Sequence, residues 1–113
     1  MNTRDWKTVS EKKLGDFRIF RLKEKIAKSP RTGNDHPFII LEGNDWINII
    51  AKTTDKNIVM VKQYRFGTSR FELEIPGGVI EDNESPIDAG IRELREETGY
   101  VGDIHKYLGH TDP

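Results

Sequence analysis

Glu93, Glu96 and Glu97 stand at positions i, i+3 and i+4 of the run Arg92-Glu93-Leu94-Arg95-Glu96-Glu97-Thr98. On a helix this spacing lines three carboxylates along one stripe. Like charges so placed repel by a few tenths of a kcal/mol per pair. A hard divalent cation with a taste for oxygen, Mg²⁺ or Mn²⁺, turns that repulsion into affinity. Arg92 lies at i, i+4 to Glu96, where it can orient one carboxylate while the others bind metal. Glu84 precedes the same helix. The pair Gly77-Gly78 permits close backbone approach or a positive φ and can aim a carbonyl at the same ion. Taken alone, a triple glutamate is more readily read as a solvated helix face.

The elements that must position these groups follow from periodicity and punctuation. A helix is expected over 85–98, with Ser85 as N-cap, Pro86 at the first helical position, Asp88 three residues past the cap in a capping-box arrangement, and Gly99 as the stop. Ile87, Ile91 and Leu94 recur at i, i+4, i+7 and predict its buried stripe. Strands are expected at Phe17–Lys23, His36–Glu42, Trp46–Lys52, Ile58–Tyr64 and Phe71–Ile75, the last stopped by Pro76-Gly77-Gly78, with a further strand near Ile104–Leu108. Lys28–Asp35 reads as loop and Thr53–Asn57 as a hairpin turn.

Composition bounds the rest. The 113 residues fit one domain, with 18 Lys+Arg against 19 Asp+Glu and a formal net charge of -1. That balance argues against bulk electrostatic partners such as bare duplex DNA. It hides an asymmetry. Residues 1–31 carry ten Lys/Arg and four Asp/Glu, a net of +6, and residues 72–103 carry ten Asp/Glu against Arg92 and Arg95, a net of -8. The absence of Cys excludes disulfides, thiol nucleophiles and Cys-bound metal. His36, His105 and His110 have no metal-ligand spacing. The longest apolar runs, Phe38–Leu41 and Ile58–Val61, are four residues each, and the start has no apolar signal segment. A soluble cytoplasmic protein is the expectation, with no membrane partner. No RNA-binding motif stands out, so nucleic acid is not the expected partner.

Gly78, five residues, Glu84, seven residues, then Arg92-Glu93-Leu94-Arg95-Glu96-Glu97-Thr98-Gly99-Tyr100 resembles the box of the Nudix hydrolases, G-x5-E-x7-R-E-U-x-E-E-x-G-U, with Tyr100 at the last, usually aliphatic, position. Seven fixed identities over 23 residues, 78–100, make the motif specific. The resemblance implies an α+β fold, the α/β/α sandwich with a mixed sheet, and hydrolysis of nucleoside diphosphates linked to another moiety. By position, Glu93, Glu96 and Glu97 resemble the family's Mg²⁺ or Mn²⁺ ligands, joined by the backbone carbonyl of Gly77. Glu84 and Arg92 resemble supporting residues. Glu93, Glu96 and Arg92 are thus the catalytic candidates, with Glu96 or Glu93 as possible base.

Gln63-Tyr64-Arg65 followed by Phe71-Glu72-Leu73-Glu74-Ile75-Pro76-Gly77-Gly78 is similar to the pattern of the ADP-ribose and nucleoside-diphosphate-sugar pyrophosphatases. That branch implies a small-molecule nucleotide substrate, contacted by Arg65, Arg70 and Glu74. It also implies a homodimer in which an N-terminal β-segment, here residues 1–45 ahead of a core over 46–113, pairs with the second subunit and contributes to the nucleotide site. Phe17, Phe20 and Trp46 are candidates to stack on the base, though such aromatics more often serve as core or dimer contacts. Other readings are a different nucleotide substrate (an oxidised triphosphate or an RNA 5′ end) or a nucleotide-binding fragment without turnover. Only 13 residues follow Tyr100. The resemblance implies further strands and a second helix there, so the chain is expected to carry part of the fold.

Overall fold

The computed structural model describes residues 5–103 and 106–112. The chain divides into two compact units, residues 1–44 and 45–113. In the first, β1 (Lys7–Asp16), β2 (Phe20–Lys28) and β3 (Asp35–Gly43) form one antiparallel sheet in the order β1-β2-β3. The strand expected at Phe17–Lys23 is cut by the β1–β2 turn. Arg18 takes a positive φ of 71°, Phe17 N–H donates to Phe20 O at 2.7 Å, and the strand begins only at Phe20. β1 escapes a periodicity reading because its residues are polar or exposed on both faces. The loop after β2 closes on Ser29, whose buried hydroxyl accepts from Arg31 N–H and Thr32 N–H, each at 3.3 Å.

The second unit holds two antiparallel pairs and a helix. β5 (Val61–Arg65) pairs with β6 (Arg70–Glu74), and β4 (Trp46–Asn48) pairs with β7 (Gly77–Val79). The strand expected over Trp46–Lys52 is therefore only three residues long. Beyond it the Thr53–Asn57 turn closes a single bridge, Lys52 to Ile58, and the strand expected from Ile58 starts at Val61. Pro76-Gly77-Gly78, expected to stop a strand, instead leads into β7. Pro76 cannot donate, but its carbonyl accepts from Ile49 N–H at 2.8 Å and continues the ladder.

Helix α1 spans Pro86–Thr98. Ser85 Oγ accepts from Asp88 N–H at 3.1 Å, and Gly99, at φ 77°, donates to Arg95 O at 2.9 Å. Both ends thus obey the caps written in the sequence. The packing face differs from the expected stripe. Ile87 and Ile91 are 41% and 39% exposed, and the residues pressed against β4 and β7 are Ala89 and Gly90. Small side chains let the helix axis approach the strands. A methyl group at Gly90 would sit 3.6 Å from the Ile49 side chain and 3.7 Å from Ile47. The same face carries Glu93 one turn on, so close helix–strand contact brings an acid, not an isoleucine, onto β7. The strand expected near 104–108 begins on residues outside the described ones, Ile104 and His105, and 106–108 form no strand.

Candidate functional site: an arginine-centred carboxylate cluster

Arg92 is the hub. Its Nε donates to Glu84 Oε1 at 2.7 Å and its Nη2 to Glu84 Oε2 at 2.9 Å, a two-pronged pair that fixes the plane of the guanidinium. Nη2 also donates to Val79 O at 3.1 Å, tying the hub to β7. The remaining nitrogen, Nη1, donates to Glu93 Oε1 at 2.9 Å and to Glu96 Oε2 at 3.3 Å. Glu81 stands 4.0 Å from Nη1. The loop before the helix supports this arrangement, because Glu84 Oε2 also accepts from Glu81 N–H at 3.0 Å. Hydrogen bonds from Arg92, helped by that backbone donor, hold the Glu84 carboxyl down from the ordinary 4.5 to about 2. The same pairing pushes the Arg92 guanidinium up.

Glu93 is enclosed, with only 14% of its side chain exposed, whereas Glu96 is 59% exposed. Enclosure comes from Gly78. A Cβ there would collide with the Glu93 carboxylate, so the missing side chain is what makes room for the acid. Gly77 serves the backbone instead. Its absent Cβ would lie 2.5 Å from Ile47 O across the β4–β7 pair. Neither glycine has a positive φ, so of the two reasons for a Gly-Gly pair close approach is the one that holds.

Glu97 points elsewhere. It helps line a shallow cavity of about 450 Å³ with β5 residues such as Lys62 and Gln63 and with Thr98 and Tyr100. Its Oε2 is buried and has no hydrogen-bond partner among the described residues. A buried carboxylate oxygen without a donor is costly and calls for a cation or a proton donor. The three glutamates therefore share a helix but not a focus, and among the described residues no three His, Asp or Glu side chains are gathered closely enough to hold a metal ion as they stand. The donor chemistry nonetheless suits Mg²⁺ or Mn²⁺: hard carboxylate oxygens, one of them orphaned.

The expected substrate contacts are already paired. Arg65 forms a two-pronged pair with Glu74, Nε to Oε1 at 2.8 Å and Nη2 to Oε2, and Arg70 Nε meets Glu72 Oε1 at 2.5 Å. Glu74 is lowered by Arg65, and Arg65 is raised by Glu74, with Glu97 also within its electrostatic reach. Arg65 and Glu74 thus belong to one ion pair, and the structure does not present them as separate free groups. Trp46 and Phe17 are exposed and Phe20 is half-buried. Sequence reasoning missed the Val79 carbonyl as an Arg92 acceptor and Glu81 as its outermost carboxylate. The positions of Gly78 and Glu84 in the motif were the only signals toward either.

Comparison with known proteins adds the family. The model of the NUDIX domain matches residues 45–113. The chain belongs to the NUDIX family. This NUDIX chain is 34% identical to a methanol dehydrogenase activator of Bacillus methanolicus over 102 residues, which is 90% of the chain and 55% of that protein. It is 31% identical to an ADP-ribose pyrophosphatase of Bacillus subtilis over 101 residues, 89% of the chain and 54% of the relative. A shorter match, 51% over 47 residues, links 42% of it to 22% of an ADP-sugar pyrophosphatase of Mus musculus. The NUDIX chain thus spans about half the length of the two Bacillus relatives. A crystal structure of an ADP compounds hydrolase superposes with a TM-score of 0.74 at 21% identity, over 85% of this chain and 52% of that one. That likeness shows the α+β Nudix fold. No helix among the described residues is long and apolar enough to cross a membrane.

Proposed function

We propose that this NUDIX protein hydrolyses the diphosphate bond of a nucleoside diphosphate joined to a sugar, of the ADP-ribose or ADP-sugar type, with Mg²⁺ or Mn²⁺. The observation that carries the reading is the Arg92 hub, which joins Glu84, Glu93 and Glu96 beside a glycine shaped around Glu93. The names of the pyrophosphatase relatives support the substrate class.

In this reading Glu93, Glu96 and Glu97, with the Gly77 carbonyl, hold the cation. A bound divalent cation would neutralise the charge that gathers on the diphosphate oxygens and make water more acidic. Arg92, fixed by Glu84, sets the direction of the Glu93 carboxylate. Each carboxylate has two oxygens, and an oxygen of Glu93 or Glu96 that does not serve the cation takes the proton of the attacking water. Arg65 and Arg70 meet the phosphates through charge-assisted bonds, and Glu74 holds Arg65 in the plane those bonds need. The N-terminal sheet, which exposes Ile39 and Leu41, pairs two copies into a homodimer. A cytoplasmic location belongs to the same proposal.

The test is release of nucleoside monophosphate, pyrophosphate or phosphate from ADP-ribose, ADP-glucose, GDP-mannose, 8-oxo-dGTP and triphosphorylated RNA, with and without Mg²⁺. Metal-dependent cleavage of the ADP-sugars is the expected result. Cleavage confined to the triphosphates would refute the substrate class, and no metal-dependent turnover of any of them would refute hydrolysis by this chain.

A further inference from the structure

The bonds that Arg92 makes are graded along its guanidinium. The Nε and Nη2 edge is held at 2.7 and 2.9 Å by Glu84 and at 3.1 Å by the Val79 carbonyl. Nη1 is held by Glu93 at 2.9 Å and by Glu96 at 3.3 Å. Exposure sets one acid apart: 15% for the Glu84 side chain and 14% for Glu93 against 59% for Glu96. One end of the fork is locked into the loop and β7, and the other end is shared between the enclosed Glu93 and the exposed Glu96, of which Glu96 can turn away at little steric cost.

A guanidinium is a permanent cation with fixed geometry. It neutralises the same carboxylates that a divalent ion would bind, and it stands where a second positive charge is repelled. We propose that Arg92 competes with the divalent cation for Glu96, so that cation binding transfers Glu96 from Arg92 Nη1 to the ion while Glu84 and Val79 keep the rest of Arg92 in place. This rests on the functional reading above, in which Glu96 is a metal ligand. It assigns Arg92 a second, opposing role: a positioning residue for Glu93 and a brake on loading at Glu96. Linkage makes the effect reciprocal, because a cation that weakens the Arg92–Glu96 bond is itself weakened by that bond to the same extent.

The experiment has two arms on the whole chain. In the first, side-chain ¹⁵N NMR follows Arg92 during a Mg²⁺ titration. The Nη1 resonance is expected to shift and exchange faster with solvent as Mg²⁺ saturates, while Nε–H stays put. In the second, free Mn²⁺ is counted by electron paramagnetic resonance with the native chain and with Arg92→Lys, whose single ammonium keeps the charge but cannot span Glu84 and Glu96 together. The substitution is made in the native chain and in Glu96→Gln; loss of the Glu93 support is common to both, so Arg92→Lys is expected to be at least about 5-fold more favourable to Mn²⁺ in the native background, the lower end of ordinary coupling between sites. Mn²⁺ binding with Arg92 Nη1 unmoved, or the same effect of Arg92→Lys in both backgrounds, would overturn the competition while leaving the metal site standing. No Mn²⁺ binding by the native chain would remove the functional reading and this inference with it. The NMR arm keeps the question decidable if the variant does not fold.

Discussion

Ion pairs crowd both units of this chain, and they do different work in each. On the three-stranded sheet Lys23 reaches Glu42 at 2.5 Å and Glu11 at 3.3 Å, and Lys25 shares Glu11. These pairs lie across neighbouring strands with their acids 41% and 43% exposed, and each lysine is a single-point donor. Around Arg92 the acids come from a loop and a helix, two of them 14–15% exposed, and one planar donor serves them all. The difference lies in geometry rather than in number. Pairs whose acids face water are screened and contribute little. A fork that meets four groups in fixed directions determines where each carboxylate points.

The glycines before the hub sharpen the comparison and carry the largest expected effects. Gly77→Ala drives a methyl group into the Ile47 carbonyl of the paired strand. It should lower stability by roughly 1–3 kcal/mol, the ordinary cost of overpacking, read as a lower denaturant midpoint. Gly78→Ala meets only the end of the Glu93 side chain, which can move. It should leave the midpoint nearly unchanged and weaken Mn²⁺ binding by about 10- to 100-fold, as when a ligand loses its support. Equal loss of stability in both would mean that Gly78 serves the fold and not the acid.

The next effect is on pH. The Glu84 carboxyl lies at about 2 in the folded chain against 4.5 ordinarily. Between those values the unfolded chain binds more protons, so stability rises with pH across that window, is fully present above about 4.5 and is lost toward 2. Glu84→Gln should flatten this rise in urea midpoints measured between pH 2 and 5. An unaltered slope would show that Glu84 is not the group that titrates. The smallest effect belongs to the sheet. Lys23→Gln should change the midpoint little at moderate salt and slightly more at low salt. A loss as large as that of Glu84→Gln would erase the distinction between the two regions.

How much of this was legible in the sequence depends on the range of the interactions. The helix was, because Ser85, Pro86 and Gly99 act within a turn of themselves. The Glu93, Glu96 and Glu97 spacing was also plain, since it needs only the helical period. Its outcome was not, because Arg92 and Gly78 redirect Glu93 and Glu96, and that depends on how closely Ala89 and Gly90 let the helix approach β4 and β7. The Ile87/Ile91 stripe misled for the same reason: periodicity marks an apolar face, not whether a partner covers it. β7 was hidden behind a proline and two glycines whose ladder partner lies nearly thirty residues earlier. The Arg65–Glu74 pair was hidden too. Each residue matched a substrate pattern separately, and only the β5–β6 hairpin brings them together.

The central proposal is that the box helix holds a divalent cation with Glu97 as a ligand, and Glu97 Oε2 is a buried oxygen without a donor among the described residues. The most direct measurement is Mn²⁺ binding by electron paramagnetic resonance to the native chain and to Glu97→Gln, with circular dichroism to show that both are folded. The account predicts saturable binding by the native chain and a loss of at least about 10-fold in the variant. Equal binding by the two folded proteins would contradict it.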